Sequence, residues 1–165
     1  MDIVLYPNEI LDRKMPEVDL NNPGFDPREL QDQMVDAMIE HGGIGLAANQ
    51  VGLEINAFVM GDSRENAAIC INPTVLQHTS ETTEDYEGCL SFPYVRLKVT
   101  RPKEILVHYY DADLNPVEEK VSGYSARCYL HELDHLLGIT FKDRVSNLKW
   151  ERAVKKSEKL RKRMQ

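Results

Sequence analysis

The chain has 165 residues, of which 42% are hydrophobic and 28% charged, and its formal net charge is −7. These proportions are typical of a globular protein that buries about two-thirds of its unfolded surface, and no apolar run is long enough to span a membrane. The N-terminus lacks the basic region and apolar core of a signal peptide. We therefore expect one cytoplasmic domain over residues 1–165, without a membrane partner.

The cysteine content is consistent with a cytoplasmic location. Cys70, Cys89 and Cys128 are a sparse and odd-numbered set for a disulfide-bonded scaffold. In a reducing cytosol a cysteine is more typically a core residue, a catalytic nucleophile or a metal ligand.

The first predicted element is a helix that follows a loop at residues 20–27. Asp26 can cap its N-terminus, Pro27 fits its first turn, and Gly42 ends it. Apolar residues recur between these ends at helical spacing, which predicts one buried face: Leu30, Met34, Ala37 and Met38.

The middle of the chain is rich in predicted strands. Short β-branched segments bounded by turn residues predict strands at 55–60, 68–76, 95–99 and 104–110, and a hairpin loop at 111–116. Two further helices are predicted, from Ser125 to Leu137 and from about residue 147 to residue 165. Because the strands cluster between helices, we predict an α+β fold. In it, antiparallel β-sheets surround a central helix, with N-terminal and C-terminal helices at its flanks.

The last predicted helix is strongly basic. Residues 147–165 carry eight Lys/Arg against two Glu, a formal charge of +6, which leaves 12 Lys/Arg against 25 Asp/Glu, or −13, on the first 146 residues. This separation fits a partner at the helix and a solvated helix face about equally well. The acidic body argues against general nucleic-acid binding, so DNA is not an expected partner.

Residues 128–138, CYLHELDHLLG, contain the pattern H-E-x-x-H. Residues four apart on a helix share one face, so His131 and His135 can reach a single metal ion. Glu132 lies beside them, where it can handle a proton on a nearby water molecule. The alternative is a chance pentapeptide of ordinary helix residues, because two histidines alone do not make a stable metal site.

Several residues compete to be the third ligand. Cys128 shares the helical stripe, but seven residues of helix rise about 10 Å, too far for ligands at about 2.0–2.3 Å from one ion. Cys70 lies in an apolar run that is typical of a core. Downstream acids are also available: Asp143 and Glu151. Cys89 remains, in the segment EGCLSFP, which we expect to be a short turn-like loop.

Three segments together resemble the motifs of the peptide deformylase family. GIGLAANQ at 43–50 is similar to the family's G-x-G-L-A-A-x-Q, EGCLS at 87–91 to its second motif, and HELDH at 131–135 to its third. The three occur in the family's order and with similar spacing. The resemblance runs over nearly the whole chain, including the basic terminal helix.

The resemblance implies a metal-dependent hydrolase. Members of this family remove the formyl group from the N-terminal methionine of nascent polypeptides and release formate, so formyl-methionyl peptides are the implied substrates. The implied metal ligands are Cys89, His131 and His135, which leave a fourth tetrahedral position open. The implied ion is Fe²⁺, with Zn²⁺, Ni²⁺ or Co²⁺ as alternatives.

The resemblance also implies the catalytic groups. Glu132 is expected to act as general base towards the attacking water and to return the proton to the departing amine. The side-chain amide of Gln50 and the backbone N–H of Leu90 are expected to form an oxyanion hole.

The peptide substrate is expected to lie along residues 43–45, where Gly43 and Gly45 allow a close approach and Ile44 pairs with the peptide as in an added strand. Arg96 is expected near the substrate chain.

Two further charged positions are implied beside the substrate site. Glu87 is expected to pair with Arg101 behind it. Arg127 is expected near the methionine pocket, where either its charge favours an acidic or polar substrate residue or its stem lines the wall.

Some members of this family dock on the ribosome through a C-terminal helix. The eight cationic residues of 147–165 could contact ribosomal RNA phosphates through a salt-dependent interaction. The resemblance thus favours the ribosome as a partner over a solvated helix face.

Overall fold

The structure is a computed structural model that describes residues 1–164. Its helices are α1 (Pro27–Glu40), α2 (Gly123–Leu136) and α3 (Asn147–Met164). Its strands are β1 (Gly45–Ala47), β2 (Ala57–Met60), β3 (Ala68–His78), β4 (Thr82–Cys89), β5 (Phe92–Pro102), β6 (Glu104–Tyr110) and β7 (Pro116–Ser122). The helix predicted to reach residue 165 extends to the last described residue, and residue 165 itself lies outside the described part of the chain.

The strands form two antiparallel sheets. The larger sheet has the strand order β1-β2-β3-β6-β7, so that β1 and β7 are its edges. Strands β4 and β5 follow β3 in the chain and form a separate two-stranded sheet, a long hairpin. The hairpin is important for the site because Cys89 lies at its closed end.

Helix α2 is buried against the larger sheet. Tyr129 of α2 packs edge-on against Phe58 of β2, with ring centroids 5.0 Å apart, and both side chains are buried. Burial of an apolar side chain of this size contributes roughly 1.5–3 kcal/mol. The predicted fold, antiparallel sheets around a central helix, is confirmed.

The ends of the predicted helices follow local signals. The Asp26 side chain accepts hydrogen bonds from the backbone N–H groups of Arg28 and Glu29 at the start of α1. Helix α2 begins at Gly123, two residues before the predicted start, and Gly138 follows its end with φ +73°, a conformation that glycine adopts without strain.

The segment around Cys89 differs from the prediction. It is not a loop but the end of β4, and only two residues, Leu90 and Ser91, separate β4 from β5. The sequence TTEDYEGC does not predict this strand, because most of its side chains are exposed and it has no apolar alternation. Backbone pairing with β5 holds it, not a buried face.

Helix α3 packs only through its first half. Trp150 contacts the rings of Phe92 and Tyr6, whereas none of the helix's described residues is fully buried. The apolar side chains near the C-terminal end of this helix are exposed, since Leu160 is 37% exposed and Met164 71%. Among the described residues, no helix is both long and apolar enough to cross a membrane.

Candidate metal centre

Three potential metal ligands meet between the β4–β5 hairpin and helix α2. Cys89 comes from the end of β4, and His131 and His135 come from successive turns of α2. One ligand atom from each residue lies within 4.8 Å of the other two, and Cys89 Sγ is 3.2 Å from His135 Nε2. Both histidines are buried. Two secondary-structure elements thus supply three donor atoms to one point.

The imidazole of His131 is oriented by Glu87. His131 Nδ1 lies 2.8 Å from Glu87 Oε1, so Nε2 is the nitrogen available to an ion. Burial opposes ionisation of Glu87, but hydrogen bonds from His131 and Arg101 outweigh it and lower the Glu87 pKa to about 2. A carboxylate therefore accepts the Nδ1–H bond and fixes the tautomer that metal binding needs.

The chemistry of the donor set fits a divalent transition-metal ion. Burial disfavours a charged His131, yet hydrogen bonds with Cys89 and Glu87 raise its pKa well above the usual value. Burial and the neighbouring His131 lower the pKa of His135, which favours the neutral form. One thiol and two imidazoles are ligands that suit iron, zinc, nickel or cobalt.

Glu132 lies beside the ligands with one free oxygen. Its carboxyl group is buried, and burial raises its pKa to about 7. Oε2 of Glu132 has no hydrogen-bond partner among the described residues. The group can therefore accept a proton from a molecule that enters the site.

The Gln50 side chain is held with its amide nitrogen towards Cys89. Its Oε1 accepts the backbone N–H of Ala47 at 2.9 Å. Its Nε2 lies 3.1 Å from Ser91 Oγ and 3.4 Å from Cys89 Sγ. Leu90 follows Cys89 directly, in the turn of the hairpin. Both candidate oxyanion donors thus stand next to the ligand cluster.

These groups open onto a cavity of about 840 Å³. Every residue predicted for the site lines it except His135, which is buried beneath: Gly43, Ile44, Gly45, Gln50, Glu87, Cys89, Leu90, Arg96, Arg127, His131 and Glu132. Such a volume is typical of a ligand pocket.

The N-terminal segment forms a part of the cavity wall that no sequence motif predicted. Asp2, Ile3 and Leu5 line the cavity. Val4 N–H donates to the Gln50 carbonyl at 2.7 Å, and Tyr6 N–H to the Ser91 carbonyl at 2.9 Å. No local pattern predicts these two contacts, because each joins segments that are far apart in the chain.

The charged groups of Glu87 and Arg127 are both bonded within the protein. Glu87 pairs with Arg101, as expected, with Arg101 Nη2 2.9 Å from Glu87 Oε1. Both Glu87 oxygens are bonded within the protein, to His131 and to the guanidinium groups of Arg101 and Arg127. The guanidinium of Arg127 is likewise bonded within the protein, to Glu87 and the Val99 carbonyl, although Arg127 lines the cavity. The alternative in which the Arg127 charge selects a polar substrate residue is not supported by this geometry.

Comparison with known proteins identifies the family. A family profile described as Polypeptide deformylase matches residues 1–151. A peptide deformylase of Aquifex aeolicus is 37% identical over 164 residues, covering 96% of this chain and 95% of the relative. The chain belongs to the peptide deformylase family.

Further peptide deformylases agree with this assignment. A relative from Maricaulis maris is 41% identical over 166 residues, covering 98% of this chain and 94% of its own. The solved peptide deformylase of Legionella pneumophila superposes with a TM-score of 0.88 at 29% identity, covering 99% of this chain and 96% of its own. The corresponding structure from Plasmodium falciparum gives 0.86 at 32% identity, covering 98% and 95%. The resemblance stated from the three motifs is confirmed.

Proposed function

We propose that this protein removes the N-formyl group from the N-terminal methionine of nascent polypeptides and releases formate. The observation that carries the proposal is the cluster of Cys89, His131 and His135 in a chain of the peptide deformylase family, with Glu132 on the wall of the adjoining cavity. The cytosol, where nascent chains are made, is the location we propose for it.

The proposed ligands of one divalent ion are Cys89 Sγ and the Nε2 atoms of His131 and His135. Fe²⁺ is the ion we propose, and Zn²⁺, Ni²⁺ and Co²⁺ suit the same donors. When bound, the ion supplies Lewis-acid chemistry, which polarises the formyl group and makes water more acidic.

Glu132 moves the proton in the proposed reaction. Its carboxylate takes a proton from the attacking water as the new C–O bond forms at the formyl carbon. It then gives this proton to the amine nitrogen as the C–N bond breaks, which leaves formate and a free N-terminus. Its position beside the ligands, with Oε2 free, supports both transfers.

Negative charge develops on the formyl oxygen when water adds. The Gln50 side-chain amide and the Leu90 backbone N–H are the donors that we propose for this oxygen. The bond from the Ala47 N–H to Gln50 Oε1 directs the amide nitrogen into the site before substrate binds. Such preorganisation is what makes an oxyanion hole effective.

The substrate backbone is proposed to pair with the segment 43–45. Strand β1 is an edge of the larger sheet, so one side of its backbone is free to receive an added strand. Ile44 lines the cavity beside this edge, and Arg96 lines it from β5. A peptide in this position would present its N-terminal formyl group to Glu132.

The basic helix α3 is proposed to contact the ribosome. All eight of its cationic residues are exposed, and none of its described residues is fully buried. Ribosomal RNA phosphates are the matching partner for such a helix.

A formate assay tests the proposed reaction. It also distinguishes this reaction from the alternative activity of an endopeptidase, which would cleave internal peptide bonds of unformylated proteins. The Fe²⁺-loaded protein is incubated without oxygen with formyl-Met-Ala-Ser, and formate and free amine are measured. We expect both products in equal amounts and no cleavage of Met-Ala-Ser. Absence of formate from protein with confirmed metal occupancy would overturn the proposal.

A further inference from the structure

The side chain of Arg127 crosses from helix α2 to both strands of the β4–β5 hairpin. Its Nη1 donates to Glu87 Oε2 at 2.8 Å and to the Val99 carbonyl at 2.6 Å. Its Nη2 donates to the carbonyl and the hydroxyl of Thr83, at 2.9 and 3.1 Å. Arg127 is only 4% exposed. One buried guanidinium therefore binds β4 and β5 to the helix.

Little apolar contact joins the β4–β5 hairpin to helix α2. The apolar cluster of the hairpin contains Phe92, Val95, Leu97, Val99 and Phe141, and no residue of α2. The apolar residues of α2 belong to a separate cluster with Phe58 and Cys70. The junction between the two elements is instead made of buried charged groups.

Directional bonds control geometry at such a junction more tightly than apolar packing. Glu87 accepts from Arg101, Arg127 and His131, while Asp134 accepts from Arg101 and Arg144. Buried ions are tolerated only when they are paired and fully hydrogen-bonded, so a shift of the hairpin along α2 would break several bonds at once.

The proposed metal ligands lie on the two elements that this junction joins. Cys89 follows Glu87 by two residues on β4, and His131 follows Arg127 by one turn of α2. The contact between Glu87 and Arg127 therefore lies between the element that supplies the thiol and the element that supplies the imidazoles.

We propose that Arg127 is a positioning residue for the metal centre, which sets the distance of Cys89 from His131 and His135. The inference depends on the proposed ligand set. It gives the arginine a structural reason to be buried at the cavity wall, and it replaces the substrate-selecting role considered from the sequence.

Metal release from variants tests this proposal. Arg127→Met keeps the length of the stem and removes all four bonds, whereas Arg127→Lys keeps the charge but cannot bridge both strands. Arg28→Met is the matched control, since Arg28 pairs with Asp113 at the surface. Each protein is loaded with Co²⁺, its visible spectrum is recorded, and transfer of the ion to an excess of chelator is followed.

We expect Arg127→Met to release metal about 10–100-fold faster than the wild type, with an altered Co²⁺ spectrum, because residues behind a ligand typically affect affinity by that factor. Arg127→Lys should lie between the two, and Arg28→Met should match the wild type. The KM for formyl-Met-Asp-Ser relative to formyl-Met-Ala-Ser should stay unchanged.

A folded Arg127→Met protein with wild-type metal release and spectrum would overturn the proposal. A changed preference between the two peptides at unchanged metal release would make Arg127 a substrate-selecting residue instead. If Arg127→Met does not fold, the same measurements are made on Arg127→Lys and Thr83→Val. Wild-type rates of metal release in both variants would overturn the proposal. A wrong assignment of the metal ligands gives a different result from a wrong role for Arg127. If Cys89 is not a ligand, Cys89→Ala releases metal no faster than the wild type.

Discussion

Gly45 and Glu132 lie so close together that no side chain fits between them. A Cβ on Gly45 would overlap the Glu132 carboxylate and lie 2.9 Å from Cys128 Sγ. The absence of a side chain at Gly45 therefore lets the edge strand β1 approach helix α2. This approach brings the proposed peptide-binding backbone next to the proposed general base.

Replacing Gly45 by alanine should displace the Glu132 carboxylate. We expect a fall of at least about tenfold in kcat and a loss of about 1–3 kcal/mol in stability, as for other overpacked sites. Gly88→Ala is the stability control, since a Cβ there meets no atom within 4 Å. Steady-state kinetics and thermal unfolding measure the two effects, and wild-type kcat in Gly45→Ala would contradict this account of the contact.

Glu132→Gln should abolish turnover without loss of the ion. Glu132 is not one of the three ligands, and a missing general base typically costs about 10²–10⁴ in rate. Metal analysis after gel filtration, combined with the formate assay, separates the two properties. Loss of metal from a folded variant would assign the glutamate to the ligand set.

Gln50→Ala should lower kcat by about 10²–10³ with little change in KM, because the amide acts on charge that develops in the transition state. Ser91→Ala is a milder variant for comparison, because it leaves the Gln50 amide in place. It removes only the hydroxyl that accepts from Gln50 Nε2, so its effect should be smaller. Equal kcat in the wild type and Gln50→Ala would exclude the amide from the oxyanion hole.

The Glu87 carboxylate should stabilise the fold in a pH-dependent way. Its pKa is about 2, below the ordinary value of 4.5, because hydrogen bonds from His131 and Arg101 outweigh the opposing effect of burial. Its stabilising contribution is therefore complete above pH 4.5 and is lost as the pH falls towards 2. Urea unfolding of the metal-free wild type and Glu87→Gln should show a stability gap that narrows over this range. A gap independent of pH would contradict the prediction.

Neutralising the end of α3 should weaken ribosome binding and leave the formate assay unaffected. The variant carries glutamine at four exposed cationic positions: Lys159, Arg161, Lys162 and Arg163. Co-sedimentation with ribosomes should fall, and its dependence on salt should become less steep. The matched control changes four cations of the body: Lys14, Arg64, Lys103 and Lys120. Equal pelleting of both variants across the salt series would refute the contact.

Local features of this protein were determined by its sequence. The Asp26 cap, the glycine after α2 and the four-residue spacing of His131 and His135 each depend on neighbours within a few residues. The three motifs were sufficient to place the chain in its family, and the comparisons confirm that assignment.

Only the tertiary structure decided how distant segments meet. Strand β4 carries no apolar alternation, so its pairing with β5 could not be predicted from its own residues. The direction of the Arg127 guanidinium depends on Thr83, Glu87 and Val99, which lie 28 to 44 residues away in the chain. The physical reason is that caps and helical faces depend on short-range interactions, whereas a buried charge takes its partners from whichever segments the whole fold brings beside it.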